Sequence, residues 1–331
     1  MVLWLCADPS KRQPSRPCLT LLTQTTQTMT QDFEQLAQQL EQHPDYRVLR
    51  RLTPTPMFNT PVPGQRLSKG VVLDTETTGF DAQNDRVIEL GMLVFEFDPI
   101  SGMVYRVLDV FDELEDPGFP IPPATTAVHH ITDEMVQGQR IDDARVASLM
   151  QGVEVVIAHN AAFDRPFVEA RWPLFEQLNW ACSIKDIDWR EEGFGSAKLE
   201  YLLSTQGYFY EAHRAEADCW ALLALLSHIL PQSQRTALLA LLETLNQAQQ
   251  KVYAVGSPFE TKDMLKARNY RWSAELRCWS RLVSGDQELQ EELSWLKRKV
   301  YGERSARVEV ESLGGKVRYS SRQGDKEVVT I

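Results

Sequence analysis

The sequence predicts an α/β fold in which helices flank a mixed sheet, with a small α+β domain behind it. Three observations carry this reading. Val71 to Asp74 is almost continuously apolar, as a strand buried on both faces would be. Two more β-rich segments follow at short spacing, in meander order. From about residue 130 onward, helical and strand patterns alternate, the signature of a layered α/β domain.

Residues 1–30 are rich in Thr, Gln, Ser and Pro and lack periodicity, so they are expected to be disordered, and Met29 is an alternative first residue. Phe33, Leu36 and Leu40 predict a short helix, and Thr53 to Gly64 is a proline-marked linker, which makes residues 1–66 an N-terminal extension. The meander continues through Arg86 to Phe97 and Met103 to Phe111. A helix at Thr132 to Val136, a strand at Val153 to Ala158, a helix beyond Phe163, and helices at Ala197 to Thr205 and Ala215 to Leu230 fill out a domain over 67–250. Residues 251–331 read as strand, helix capped near Thr261, strand, turn and strand, then a helix near Gln287 to Val300 and strands at RVEVESL, KVRYSS and EVVTI.

Composition narrows the function classes. The chain has 331 residues, 43% hydrophobic and 24% charged, and no apolar run approaches a membrane span. Its start has a short apolar run ahead of the basic residues, a poor secretory signal. Five cysteines without a CxxC pair fit reduced thiols in a cytoplasm rather than a disulfide framework or a zinc site. Residues 67–250 carry 12 basic and 29 acidic side chains, net −17, while 251–331 carry 16 and 12, net +4. The middle region should therefore bind phosphates weakly unless metal ions supply positive charge locally.

VVLDTETTGF (Val71 to Phe80) holds the first chemical signal. In a strand Asp74 and Glu76 point the same way and Thr75 the other, so two carboxylates stand side by side. Such a pair is costly unless a cation or a shared proton sits between them, and hard oxygen ligands suit Mg²⁺ or Mn²⁺. More acids occur in HNAAFDRPF, which puts Asp164 at a strand-to-helix corner before Pro166, and in EAHRAEAD, with His213 approaching a helix and Asp218 in its first turns.

DTETTG, HNAAFDRPF and HRAEAD, in this order, resemble the three motifs of the DnaQ-like 3′→5′ exonucleases of the DEDDh branch, over roughly Ser68 to Leu230. The resemblance implies a ribonuclease H-like, five-stranded mixed sheet. It also implies two divalent cations held by Asp74, Glu76, Asp164 and Asp218, with His213 as general base, a role suited to imidazole near neutral pH. Thr77, Thr78 and Gly79 would meet the 3′-terminal nucleotide. AVHHIT (Ala127 to Thr132) matches a family Val-His-Gly-Ile-Thr stretch, except that His130 replaces the glycine. The expected substrate is single-stranded DNA or an unpaired 3′ end; RNA trimming and a noncatalytic polymerase-accessory role are the alternatives.

Several residues have competing readings. Asn160 either hydrogen-bonds near the metals or caps the following helix. His129 is packed or substrate-adjacent, His159 structural, and Arg165 by default a solvated helix residue. Asp186 and Asp188 read as loop acids, and Cys182 and Cys219 as small buried residues. The tail resembles a module found behind some bacterial DnaQ-like exonucleases, marked by LKARNYRW and a second tryptophan. There Lys266, Arg268, Arg271, Trp272 and Trp279 interleave charge and rings, either to grip single-stranded nucleic acid or to form a small core with solvated cations.

Overall fold

The computed structural model describes residues 33–331. Of these, the residues up to Arg50 and those from Arg51 onward form separate compact units. The first contains a helix over residues 33–41, where the spacing of Phe33, Leu36 and Leu40 places it. The expectations for residues 1–30 lie outside the described residues.

In the second unit, β1 (Ser68–Thr77), β2 (Val87–Phe97) and β3 (Val104–Leu114) form the predicted antiparallel meander. β4 (Val153–Ala158) pairs parallel with β1, and β5 (Asn179–Cys182) parallel with β4, giving the spatial order β3-β2-β1-β4-β5. Helices cover both faces. Pro123–His129 is α1, Asp143–Leu149 α2, Ala161–Arg171 α3, Leu199–Thr205 α4, Ala215–Ser227 α5 and Ala237–Asn246 α6. Alternation along β1 sends Val72 to a core shared with α4, α5 and α6, and sends Val71 and Leu73 to a core shared with α2 and α3. That division fixes which acid can arrive from which side.

Some boundaries differ from expectation for local reasons. α5 ends at Ser227 rather than Leu230; His228 is extended and the Ala237 N–H donates to its carbonyl at 2.9 Å. α6 went unread because ALLALL shows no polar face, yet Thr236 caps it by accepting from the Leu239 N–H at 3.1 Å. Pro166 is interior to α3 rather than in its first turn. α1 stops at His130, whose φ of 60° lies in the left-handed region and whose N–H donates to the Thr126 carbonyl at 2.8 Å. A glycine is the low-cost residue at such a position, which accounts physically for the motif's usual Val-His-Gly-Ile-Thr form.

A second sheet contains β6 (Gln249–Ala254), β7 (Arg271–Ser273), β8 (Cys278–Ser284), β9 (Arg307–Ser312) and β10 (Asp325–Thr330), all antiparallel, in the order β10-β9-β6-β8-β7. α7 (Lys262–Ala267) and α8 (Gly285–Trp295) accompany it, and their core includes Leu265, Tyr270 and Leu293. Thr261 precedes α7 but does not cap it with its hydroxyl, which donates to the Pro258 carbonyl at 2.7 Å.

KVRYSS is not a strand. The segment 313–322 folds back against α3 and β5 instead. Arg165 is fully buried there; it pairs with Glu169 at 2.6 Å and donates to the carbonyls of Gly315, Lys316 and Arg318, with its guanidinium 5.3 Å from the Trp180 ring centroid. Glu169 also accepts from Ser320 and Arg322, Arg318 donates to the carbonyls of Leu313, Thr244 and Gln247, and the Tyr319 hydroxyl donates to Asp186. Arg165 is thus an interior anchor rather than a solvated helix residue. A buried guanidinium is tolerated only when its donors are used, and most of its acceptors here come from a distant part of the chain.

Arg165→Ala should lower the unfolding free energy by about 3–5 kcal/mol, the scale for breaking a buried charged network, read as a shifted urea midpoint. His130→Gly should raise stability by up to about 1 kcal/mol, visible as a higher thermal midpoint.

Candidate active site

Asp74 and Glu76 lie near the end of β1, on the face that α5 covers. Asp74 stands opposite Gly91 of β2. A Cβ at Gly91 would lie 2.4 Å from the Ala215 carbonyl carbon, so the absence of a side chain is what lets the start of α5 sit against the sheet. The first turn of α5 thereby delivers Asp218. Carboxylate oxygens of Asp74, Glu76 and Asp218 all lie within 4.8 Å of one another.

Asp164 comes from α3, on the opposite face. Its Oδ1 accepts from the Thr75 N–H at 3.1 Å and the Thr75 hydroxyl at 2.9 Å. Thr75, the residue pointing away between the two acids, is the hinge by which the fourth carboxylate is pinned to the strand carrying the other two. Three of the four predicted ligands form one cluster, and the fourth adjoins it.

Charge crowding has the expected effect on these acids. Burial, then Asp164, Asp218 and Glu76, push Asp74 well above the usual carboxylate range. Burial and the nearby Asp218 and Glu89 raise Glu76 to about 8. Asp164 is raised to about 7 by burial, against the opposing hydrogen bonds from Thr75. Asp218 is raised by burial, although bonds from Tyr210 and the His213 N–H pull it down. Three half-buried carboxylates and the buried Asp164, which resist ionising together, match a hard divalent cation.

Both oxygens of Asp218 are held. The Tyr210 hydroxyl donates to Oδ1 at 2.7 Å, and the N–H groups of His213 and Arg214 donate to Oδ2 at 2.8 and 3.2 Å. His213 itself is exposed at φ 67°, and among the described residues its ring has no hydrogen-bond partner. A cavity of about 540 Å³ opens here, lined by Asp74, His159, Lys198, Tyr210, His213 and Asp218.

Three supporting residues escaped the sequence reading. Glu89 is completely buried and accepts from the Arg214 guanidinium at 2.7 and 2.9 Å and from the Ala215 N–H at 3.0 Å, fixing the approach to α5. Its signal was present: an acid inside the otherwise apolar segment VIELGMLVF. Tyr210 and Arg214 carried no comparable mark, because their roles depend on contacts with Asp218 and Glu89.

Other candidates behave differently from one another. The hydroxyl of Thr77 donates to the Gly79 carbonyl at 2.6 Å; that of Thr78 donates to Asp85 and accepts from the Arg86 N–H. Thr77 and Thr78 are buried and brace the turn, while a Cβ at Gly79 would collide with the Asp85 carboxylate at 2.4 Å. Asn160 is exposed at φ 80°, and its side chain does not cap α3, which removes the capping alternative. His129 is buried; its Nδ1 accepts from the Ile131 N–H at 3.0 Å, its Nε2 has no partner, and burial lowers its pKa. His159 lines the cavity, lies 2.7 Å from the Ser183 hydroxyl and is pushed down to about 4 by burial; its Nε2, like that of His129, has no partner among the described residues. Cys182 and Cys219 are buried, as expected. Beside the second sheet, Lys266 of α7 and, on β7, Arg271 and Trp272 are exposed, whereas Arg268 is paired with Glu292 at 2.9 Å. None of the described helices is long and apolar enough to cross a membrane.

A five-stranded mixed sheet thus carries a carboxylate cluster at the end of its central strand, and the family profile and a curated relative make this α/β domain one of the exonuclease class. A family profile described as Exonuclease matches residues 71–226. DNA polymerase III subunit epsilon of Treponema pallidum is 30% identical over 154 residues, which cover 44% of this chain and 68% of that protein. The PolC-type DNA polymerase III of Clostridium perfringens is 39% identical over 101 residues, 30% of this chain and only 6% of that polymerase. Among solved structures, exonuclease X in complex with 5′ overhanging duplex DNA is 26% identical, with 51% of this chain and 98% of that chain covered at a TM-score of 0.37. E. coli exonuclease I in complex with a dA16 oligonucleotide is 17% identical, with 70% and 71% covered at a TM-score of 0.46. The chain belongs to the DnaQ-like 3′→5′ exonuclease family.

The raised carboxyls give a testable pH dependence. Glu76 titrates near 8 in the fold against 4.5 ordinarily, so the metal-free folded chain binds more protons than the unfolded one in that window, and stability falls as pH rises through it. In EDTA the thermal midpoint should drop between these values. Added Mn²⁺ should raise the midpoint, and more at the alkaline end of the window than at the acid end.

Proposed function

We propose that this chain is a metal-dependent 3′→5′ exonuclease that releases nucleoside monophosphates from single-stranded DNA or unpaired 3′ ends. The observation that carries this reading is the convergence of Asp74, Glu76 and Asp218 within 4.8 Å beside His213, whose N–H donates to Asp218, with Asp164 tied to the same strand. Family membership supports the reaction class.

Asp74, Glu76, Asp164 and Asp218 would hold two divalent cations, Mg²⁺ or Mn²⁺, which when bound supply Lewis-acid polarisation of the phosphate and a more acidic attacking water. His213 accepts the proton of the attacking water; its exposed, left-handed backbone position lets it approach a bound phosphate from solvent. Tyr210 and the two backbone N–H groups fix the orientation of Asp218, and Glu89 with Arg214 fixes the turn from which His213 projects. Gly79, half-buried, and Asn160, exposed, remain candidate contacts to the 3′-terminal nucleotide. For His129 the supporting observation is the unpartnered Nε2, and for Thr77 and Thr78 it is their bracing of the turn. We assign catalysis to residues 67–250, a small α+β module to 251–331 and an extension to 1–66.

The test is digestion of 5′-labelled single-stranded DNA and matched RNA with Mg²⁺, Mn²⁺ or EDTA. A metal-dependent ladder should shorten from the 3′ end, with DNA preferred; Asp218→Ala should abolish it and His213→Ala should slow it by about 10²–10⁴-fold. A wild-type chain inert on both substrates with metal present would sink the proposal.

A further inference from the structure

Several of the cations in the second sheet's domain are already committed. Arg268 pairs with Glu292 and lies 4.6 Å over the Trp295 ring, Arg281 pairs with Glu288 and Glu292, and Arg318 and Arg322 are consumed by the 313–322 segment. The aromatic residues sort in the same way. Tyr270 is buried, its ring 6.3 Å from Trp295 and its hydroxyl on Glu292. Trp279 is half-buried against the core.

Trp272 is different. It sits on β7, the edge strand, directly opposite Trp279 of β8, and is 51% exposed. The two indoles lie 5.5 Å apart at 59°, so Trp272 is braced by a neighbour that is itself seated in the core. Exposed cations neighbour this edge on both of its faces: Lys266 on that of the indole pair, and Arg271 with Lys251 on the other, since side chains alternate along β7. Arg271 and Lys251 line, with Trp272 and Asn269, an open cavity of about 520 Å³, and the Lys266 ammonium lies 5.9 Å from the Trp279 ring centre. Among the described residues neither Arg271 nor Lys266 is in an ion pair, and both are exposed.

A braced, solvent-facing indole flanked by unpaired cations is a base-stacking platform with phosphate contacts at its rim. The chemistry of the ligand follows from charge. The catalytic region, net −17, repels a phosphate backbone, and the free positive groups of the second sheet complement it. We propose that Trp272 stacks a base of a single-stranded nucleic acid while Arg271 and Lys266 hold its phosphates, a binding site separate from the carboxylate cluster. The assignment of this strand as the substrate rests on the nuclease reading above. Because Arg165 and segment 313–322 fasten this domain to the helix that carries Asp164, the platform and the cluster would hold one strand at two fixed points.

Binding of a 5′-fluorescent oligothymidylate to the full chain in EDTA, followed by anisotropy, tests the site without cleavage. Trp272→Ala should weaken binding about tenfold and Trp272→Phe should restore most of it. The double variant Arg271→Ala with Lys266→Ala should lower the slope of log K against log salt by about 1–2. Metal-dependent hydrolysis of the p-nitrophenyl ester of thymidine 5′-monophosphate, a substrate too short to reach the platform, should be unchanged in Trp272→Ala. Unaltered oligonucleotide affinity in these variants, with wild-type digestion intact, overturns the site and leaves the nuclease reading standing. Ester hydrolysis falling in parallel with affinity also overturns it, since the tryptophan would then act through folding. Lost affinity in Trp272→Ala alongside a wild type that cleaves neither substrate supports the site and removes the nuclease reading instead.

Discussion

The organising constraint of this molecule is electrostatic. Asp74, Glu76 and Asp218 crowd their oxygens within 4.8 Å at the end of a buried strand, and a fourth acid, Asp164, adjoins them. Little offsets that charge: Arg214 lowers the pKa of Glu76 but its guanidinium is bonded to Glu89, and the donors on Asp218 do not outweigh its burial. The fold must therefore force the acids together, and much of the surrounding architecture serves that purpose. The central strand is locked by neighbours on both edges and helices on both faces, so its alternation cannot slip and its two acids cannot turn away. Gly91 admits α5 to the sheet, and Glu89 ties down the first turn of that helix.

This explains why the site draws its acids from both faces. A helix on one face can bring a carboxylate only to the side chains pointing at it, which here means Asp218 beside Asp74 and Glu76. The other face offers Thr75, and α3 uses it: Asp164 takes both the Thr75 amide and hydroxyl. Thr75 thus couples the two layers at the strand end, and a residue without a hydroxyl at that position would leave the buried Asp164 with one bond fewer.

The meander, the strand at Val153–Ala158 and the start of α5 were legible because each is announced by short-range pattern: apolar runs, turn residues and helical spacing. The acids were legible for the same reason, since strand alternation and first-turn placement are local properties. What escaped is long-range. Arg165 reads as a surface residue on α3 until the chain returns near residue 315 to occupy its donors, and KVRYSS reads as a strand until Arg318 and Tyr319 are seen to be used in the interior. Glu89 lies between these cases; the anomaly was visible as a charge within an apolar strand, but its partner Arg214 was not. Short helices such as α1 escaped because they are fixed by tertiary packing rather than by propensity.

Arg165 also bears on how the two sheets work together. It follows Asp164 in sequence, so one turn of α3 pins a catalytic candidate to the strand on one side and grips segment 313–322 on the other. Detaching that segment would strip a buried guanidinium of three carbonyl partners and leave Glu169 without Ser320 and Arg322. Such a state is costly on the scale of a folding free energy. The second sheet is for that reason a fixed part of the catalytic body rather than a tethered accessory. The position of that sheet relative to Asp164 is therefore set by the fold itself.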